Sequence, residues 1–297
     1  VYQDPPTQSQ LADRADCILH ELAHMWFGNL VTPSWWDGLW LNESFATYMA
    51  ALCVAEATEY GDLSWKNFFS GMKQWAYRED QLPTTHPVQG EVPDTMSTFL
   101  NFDGITYGKG ASLLKQLVFT VGIENFKVGM RYYFEKYKWQ NTTISDFLEA
   151  LEHSESTDFD SRSWANQWLQ SAGLNTLSFT YDEEEGKMKN VRVVQTATSS
   201  NPTLRNHHCE IGVFDLENGE LSLRKSFKFI IGAQEITNVP ELEGNDIASL
   251  VFINYKDHAF AKCPLDKNSQ DFCLENLSTI KDSNLRQLLW NSFYVLT

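Results

Sequence analysis

The chain of 297 residues carries 23 Lys and Arg against 39 Asp and Glu, a formal net charge of -16. That balance excludes the clustered positive charge needed to hold nucleic acid or an anionic membrane surface. Hydrophobic residues make up 42%, enough to bury a core, so a disordered chain is excluded and the length suits about two domains.

The opening segment VYQDPPTQSQ is polar and has neither an initiator Met nor the apolar run of a signal peptide. The chain therefore reads as an internal piece of a longer protein or a processed product. No stretch is apolar for long enough to span a bilayer. Five cysteines without a CxxC pair favour reduced, mostly buried thiols and a cytoplasmic setting. Monomer is the default expectation.

Residues 12–173 are predicted to be mostly helical. ADCILHELAHMWF, ESFATYMAALCVAEATEY, KGASLLKQLVFTV and IENFKVGMRYYFEKY place apolar residues at steps of three and four. Thr143 or Ser145 can cap the helix of ISDFLEALEH, and Gly173 after WANQWLQSA reads as a helix stop. Residues 175–263 change texture. LSFTYD, KNVRVVQTA, CEIGVFDL, LSLRKSFKFII and SLVFINY are short strand-like runs. Glu185-Gly186, Asn201-Pro202, Asn218-Gly219 and Gly244-Asn245 mark turns between them, which predicts a small antiparallel β-sandwich. From residue 264 the pattern turns helical again, and LRQLLWNSFYVL is apolar on most sides, as at the beginning of an all-α domain. The expected fold is α+β, with domains over 1–174, 175–263 and 264–297.

HELAH occupies residues 20–24. At about 100° per residue, His20 and His24 lie roughly 40° apart on one helix face and can reach one metal ion. Glu21 lies about 60° from His24, where it flanks the ion and can hold a water. A catalytic zinc takes a third protein ligand and keeps one position open. Glu43 in WLNESFATYMA, with 18 residues between it and His24, is that ligand if GNLVTPSWWDG reverses the chain into a second helix. Asp37, Asn42 or a backbone carbonyl could orient the imidazoles.

The phrases WFGNLVT and LWLNESFA around the HExxH, and the block DGITYGKGASLLKQL over 103–117, resemble the aminopeptidase N (alanyl aminopeptidase) family of gluzincin exopeptidases. SWANQWLQSAGLNTL, LRNHHCEIGVFD and VFINYKDHAFAK extend the resemblance over nearly the whole chain. It implies a thermolysin-like catalytic domain binding one Zn(2+) per chain and acting on peptides with a free N-terminus. His20, His24 and Glu43 match the metal ligands, Glu21 the general base, and Tyr107 the tyrosine that hydrogen-bonds the oxyanion. In one respect the chain departs from the family: the Gly-x-Met-Glu-Asn segment that grips the substrate α-amino group is absent from these residues.

That absence would suit a thermolysin-like endopeptidase, but the Tyr107 block and WFGNLVT count against it. A non-catalytic binding module on a degenerate peptidase fold is disfavoured because all five chemical positions are intact. Elsewhere the plainer readings lead. Trp26, Trp35, Trp36 and Trp40 are expected to pack around the site. His86 and Lys109 are expected at the surface, Gly110 to permit close helix packing, and His207 and His208 to occupy a β-turn without forming a second metal site.

Overall fold

In a computed structural model, residues 4–153 and 159–294 are described. The chain divides into two compact units, Val1–Ala172 and Gly173–Thr297. None of the described helices is long and apolar enough to cross a membrane. The N-terminal unit is helical, antiparallel sheets follow it, and helices close the chain, an α+β arrangement.

The first unit opens with α1 (Gln8–Ala23), capped by Thr7, whose side chain accepts from the Gln10 amide while Gln10 answers in a capping box. Two-residue strand β1 (Thr32–Pro33) lies in the following loop and pairs in parallel with β2 (Asn141–Thr142). Next, α2 (Leu39–Ala57) runs through the centre of the unit. It packs against α1, α3 (Gly61–Phe68) and α6 (Gly110–Val121), which is why nearly its whole circumference is buried. A helix so surrounded carries apolar residues all round.

The chain continues through a π turn at Phe69–Lys73, α4 (Gln74–Glu79) and the short α5 (Thr95–Thr98). A second π turn, Ile105–Lys109, leads into α6. Gly122 (φ +86°) separates α6 from α7 (Ile123–Tyr137), and α8 (Ile144–Glu152) and α9 (Ser161–Trp168) follow. Thr143 is the residue that caps α8, in a capping box with Asp146. Helix α9 stops at Trp168, earlier than Gly173 suggested; Gly173 has φ +82° but lies in the loop beyond.

Gly110 fulfils the packing role expected of it. A Cβ there would fall 1.9 Å from Ser44 Oγ, and that hydroxyl donates to the Thr106 carbonyl at 2.6 Å in the interior. Gly110→Ala should therefore cost about 1–3 kcal/mol through overpacking, whereas Gly71→Ala, with nothing within 4 Å of its added carbon, should be close to neutral. Urea denaturation of the two variants checks the contrast.

The described residues of the second unit form β3 (Asn175–Glu184), β4 (Lys187–Thr196), β5 (His207–Glu217), β6 (Glu220–Ile231), β7 (Ile236–Asn238), β8 (Leu250–Phe252) and β9 (Ala261–Lys262). They form sheets of order β7-β4-β3-β9 and β6-β5-β8, antiparallel except for the short β3–β9 pair. The two long hairpins close on Glu185-Gly186 and Asn218-Gly219, each with both residues at positive φ, the geometry that two-residue hairpin loops prefer. Helices α10 (Lys267–Asn276) and α11 (Ser283–Tyr294) follow; the final residues of the apolar run read from the sequence, 295 and 296, lie outside the described residues.

His207 and His208 are not in a turn. They begin β5, paired with Ile231 and Ile230. The alternation HHCEIGVF is that of a strand, and their polarity misled the reading. His207 is fully buried, with Nε2 3.1 Å from Asn175 Oδ1, and burial beside Arg205 pulls its pKa down to about 3. It is a neutral imidazole in a buried polar network.

Candidate metal centre

His20 sits in the last turn of α1 and His24 caps that helix in αR geometry, so the two rings keep the one-turn spacing although the helix ends at Ala23. The chain then reverses through Gly28 (φ +116°), as the Gly- and Asn-containing loop required. Phe27 anchors that reversal. Its ring is buried, stacked on Phe45 at 3.9 Å and on Tyr133 at 5.2 Å. Glu43 lies in the second turn of α2 and faces back toward α1.

The donor atoms converge. His20 Nε2 and His24 Nε2 are 3.1 Å apart, and Glu43 Oε2 lies 3.4 Å from the first and 3.5 Å from the second. The candidate ligand atoms of the three residues fall within 4.8 Å of one another, the one such group of three among the described residues. His24 Nδ1 is 3.1 Å from the Phe27 carbonyl. A carbonyl only accepts, so Nδ1 carries a proton and Nε2 is the nitrogen turned to Glu43, donating to it while the ring is charged and offering a lone pair once the ring is neutral. His20 Nδ1 lies 3.4 Å from the Thr47 hydroxyl. Two imidazole nitrogens and a carboxylate oxygen so placed form a donor set that a divalent cation would satisfy.

The electrostatics agree. Burial pushes the Glu43 carboxyl up, but hydrogen bonds from His20 and His24, the charge of His24 and the Tyr107 hydroxyl outweigh it and bring the pKa down to about 2. The Glu43 hydrogen bond raises His24 in turn, so a cation binding here must displace the proton from His24 Nε2. Glu43 is a carboxylate in this setting, as a ligand must be. Its other oxygen accepts from Asn42 Nδ2 at 3.3 Å. Of the orienting partners read from the sequence, a backbone carbonyl (Phe27) serves His24, and Asn42 holds Glu43 rather than an imidazole. Thr47 was missed. It is one helical turn beyond Glu43 on α2, so the i,i+4 spacing places both on one face and could have found it.

Glu21 and Tyr107 border the same cleft of about 670 Å³, which His20, His24, Glu43, Trp35 and Trp36 also line. Glu21 is exposed on α1 and, among the described residues, belongs to no candidate metal-binding group. Half-buried Tyr107 is raised well above the ordinary phenol range by burial and by the negative charges of Glu43 and Glu21, so its hydroxyl keeps its proton. The ring lies 6.2 Å from that of His20 in a near-parallel arrangement.

Three sequence expectations need correcting around this cleft. Of the four tryptophans only Trp40 is buried; Trp35 and Trp36 line the cleft with 51% and 40% exposure, and Trp26 borders a separate apolar groove. His86 is not a free surface residue: its Nε2 meets Asp103 Oδ2 at 2.6 Å. Lys109 is fully buried, with Nζ 2.8 Å from Asp80. Sequence gave no sign of these partners, which lie 17 and 29 positions away.

Comparison with known proteins places this geometry in context. The family model described as peptidase family M1 domain matches residues 2–168. Over 305 aligned residues the chain is 41% identical to aminopeptidase N of Streptomyces lividans, covering 100% of this chain and 35% of that protein. It is 37% identical over 182 residues to mitochondrial aminopeptidase 2 of Saccharomyces cerevisiae, covering 61% of this chain and 19% of that one. The alanine/arginine aminopeptidase of the same yeast is 31% identical over 264 residues, covering 86% of this chain and 29% of its own length. The chain thus spans about a third of the length of these curated relatives, or less.

Proposed function

The chain belongs to peptidase family M1, a family of zinc-dependent aminopeptidases, and on that premise we propose that it carries the hydrolytic centre of an aminopeptidase acting on peptides with a free N-terminus. The observation that carries the reading is the convergence of His20, His24 and Glu43 at one point of a cleft that Glu21 and Tyr107 also line. In this reading the helical unit is a thermolysin-like catalytic domain, since α1 and α2 deliver the His, His and Glu ligands in the order such a site uses. The two sheets of the second unit are the layers of a small β-sandwich.

His20, His24 and Glu43 would hold one zinc ion. When bound, it supplies a Lewis acid that acidifies water and polarises the scissile carbonyl. The protein's own groups do the rest. Glu21 takes a proton from the attacking water and returns it to the leaving amine. Phe27 and Thr47 keep the imidazoles turned toward Glu43. Tyr107, protonated throughout, donates a hydrogen bond to the oxygen on which negative charge develops. Trp35 and Trp36 offer flat apolar surface on which a substrate side chain can rest. No Gly-x-Met-Glu-Asn segment to grip the substrate α-amino group occurs among these 297 residues.

Tyr107→Phe in the intact protein tests the reading. The oxyanion exists only along the reaction path, so kcat should fall by about 10²–10³ with KM little changed. Equal kcat for the two forms would remove Tyr107 from the chemistry. Peptides with free and N-acetylated ends separate the exopeptidase from an endopeptidase: only the free amine should be cleaved, and cleavage of the blocked peptide would favour the endopeptidase.

A further inference from the structure

Tyr107 stands in the middle of the π turn Ile105–Lys109. A π turn has a wider hydrogen-bond ring than an α-helix, occurs mostly as a single turn, and is often found at functional sites. On its own it would be a loose mount for a hydroxyl that must be held within a few tenths of an ångström. Its first residues are nevertheless tied down. Asp103 Oδ1 accepts from the backbone amides of Ile105 at 3.0 Å and Thr106 at 2.9 Å. Just before them, the Gly104 amide donates to Glu79 Oε2 at 2.7 Å.

Glu79 does something more. Its other oxygen accepts from the indole Nε1 of Trp75 at 2.5 Å. The Trp75 ring lies against the Tyr107 ring, centroids 6.3 Å apart and planes 22° apart. The phenol ring is also near-parallel to that of His20, a member of the candidate metal-binding group, with centroids 6.2 Å apart. One carboxylate at the end of α4 thus fixes both supports of Tyr107: the amide where its turn begins and the indole on which its ring rests. Close approach leaves little slack, since a Cβ at Gly104 would meet Trp75 Cγ at 3.0 Å and a Cβ at Gly108 would meet the Met72 carbonyl at 2.2 Å.

We propose that Glu79 is a positioning residue that sets the Tyr107 hydroxyl against Glu43 through its two-sided hold on Gly104 and Trp75. It touches no substrate and acts through Tyr107 alone. The inference rests on the role proposed for Tyr107 in stabilising the oxyanion.

Glu79→Gln is the informative change. The amide has the same size but only one accepting oxygen, so one of the two N–H partners must face an NH₂ group. In the intact protein, kcat should fall about tenfold with KM little changed, because a small misplacement of a group that acts in the transition state is costly. Zinc content should stay at one per chain. In the Tyr107→Phe background the same substitution should change kcat by less than about twofold, since residues acting as a unit are not additive. Trp75→Phe keeps a ring against Tyr107 but frees one carboxylate oxygen; it should give a smaller drop that also vanishes in the Tyr107→Phe background.

A readout apart from turnover is the fluorine resonance of 3-fluorotyrosine at position 107 in the metal-free protein, assigned by its loss in Tyr107→Phe. It should shift or broaden in Glu79→Gln. Unchanged kcat and an unchanged resonance in Glu79→Gln would overturn the proposal, and so would an equal loss of kcat with and without the Tyr107 hydroxyl. If Tyr107→Phe alone leaves kcat intact, the oxyanion reading fails and takes this inference with it. If Tyr107→Phe is slow while Glu79→Gln is not, only the positioning role fails.

Discussion

Glu21→Gln is expected to keep one zinc per chain and to lose turnover by about 10²–10⁴, the range over which a positioned general base acts. The reason is geometric. Glu21 shares the cleft with the metal-binding group but is not a member of it. Removing its charge leaves His20 Nε2, His24 Nε2 and Glu43 Oε2 at their separations of 3.1–3.5 Å. The amide cannot take a proton from water, so binding and chemistry come apart. Metal analysis and steady-state kinetics on one preparation measure both. Loss of zinc would mean that Glu21 helps to hold the metal. Retained turnover would hand the base to another group, and among the described residues no other carboxylate lines this cleft apart from Glu43, which belongs to the proposed ligand set.

The second large effect concerns stability. Lys109 and Asp80 are both fully removed from solvent and 2.8 Å apart, and Asp80 also accepts from the Thr85 hydroxyl at 2.7 Å. Lys109→Met removes one charge and leaves the other in the interior, which should cost about 3–5 kcal/mol. Replacing the pair together, with Asp80→Leu added to Lys109→Met, should recover much of that loss, because a buried ion pair and an apolar pair of similar size are often nearly equal in stability. Denaturant midpoints of the single and double variants decide the matter. A single variant as stable as the parent would show that water reaches Asp80, and that the pair is not buried in solution. Lys109 ends the π turn that carries Tyr107, so the pair anchors the far end of the segment whose near end Asp103 and Glu79 hold.

What the sequence disclosed and what it concealed follow from the range of the interactions. HELAH and the Glu one loop away are local patterns: helical rotation fixes the two imidazoles, and Gly28 and Asn29 in the loop allow the return. The Glu185-Gly186 and Asn218-Gly219 turns are equally local, and the strands between them alternated legibly. The π turn at Ile105–Lys109 was not legible, because its apolar spacing matches that of an ordinary helix start and the extra residue is accommodated by contacts with α2 and the turn at Phe69–Lys73. Lys109 and His86 read as surface groups since a cation's partner, when it lies tens of positions away, leaves no trace in the local pattern. Trp35 and Trp36 were misjudged for a related reason: an indole contributes the same apolar signal whether it fills a core or lines an open cleft.

The claim on which all of this depends is that two imidazoles and the Glu43 carboxylate meet at one cation. Anomalous diffraction at the zinc absorption edge, from crystals of the protein purified without chelator, tests it most directly. The expected map holds one strong peak within bonding distance of His20 Nε2, His24 Nε2 and a Glu43 oxygen, and the peak disappears in crystals of Glu43→Ala. A map with no peak between α1 and α2, or one in which Glu43 turns away from a metal held elsewhere, would contradict the account.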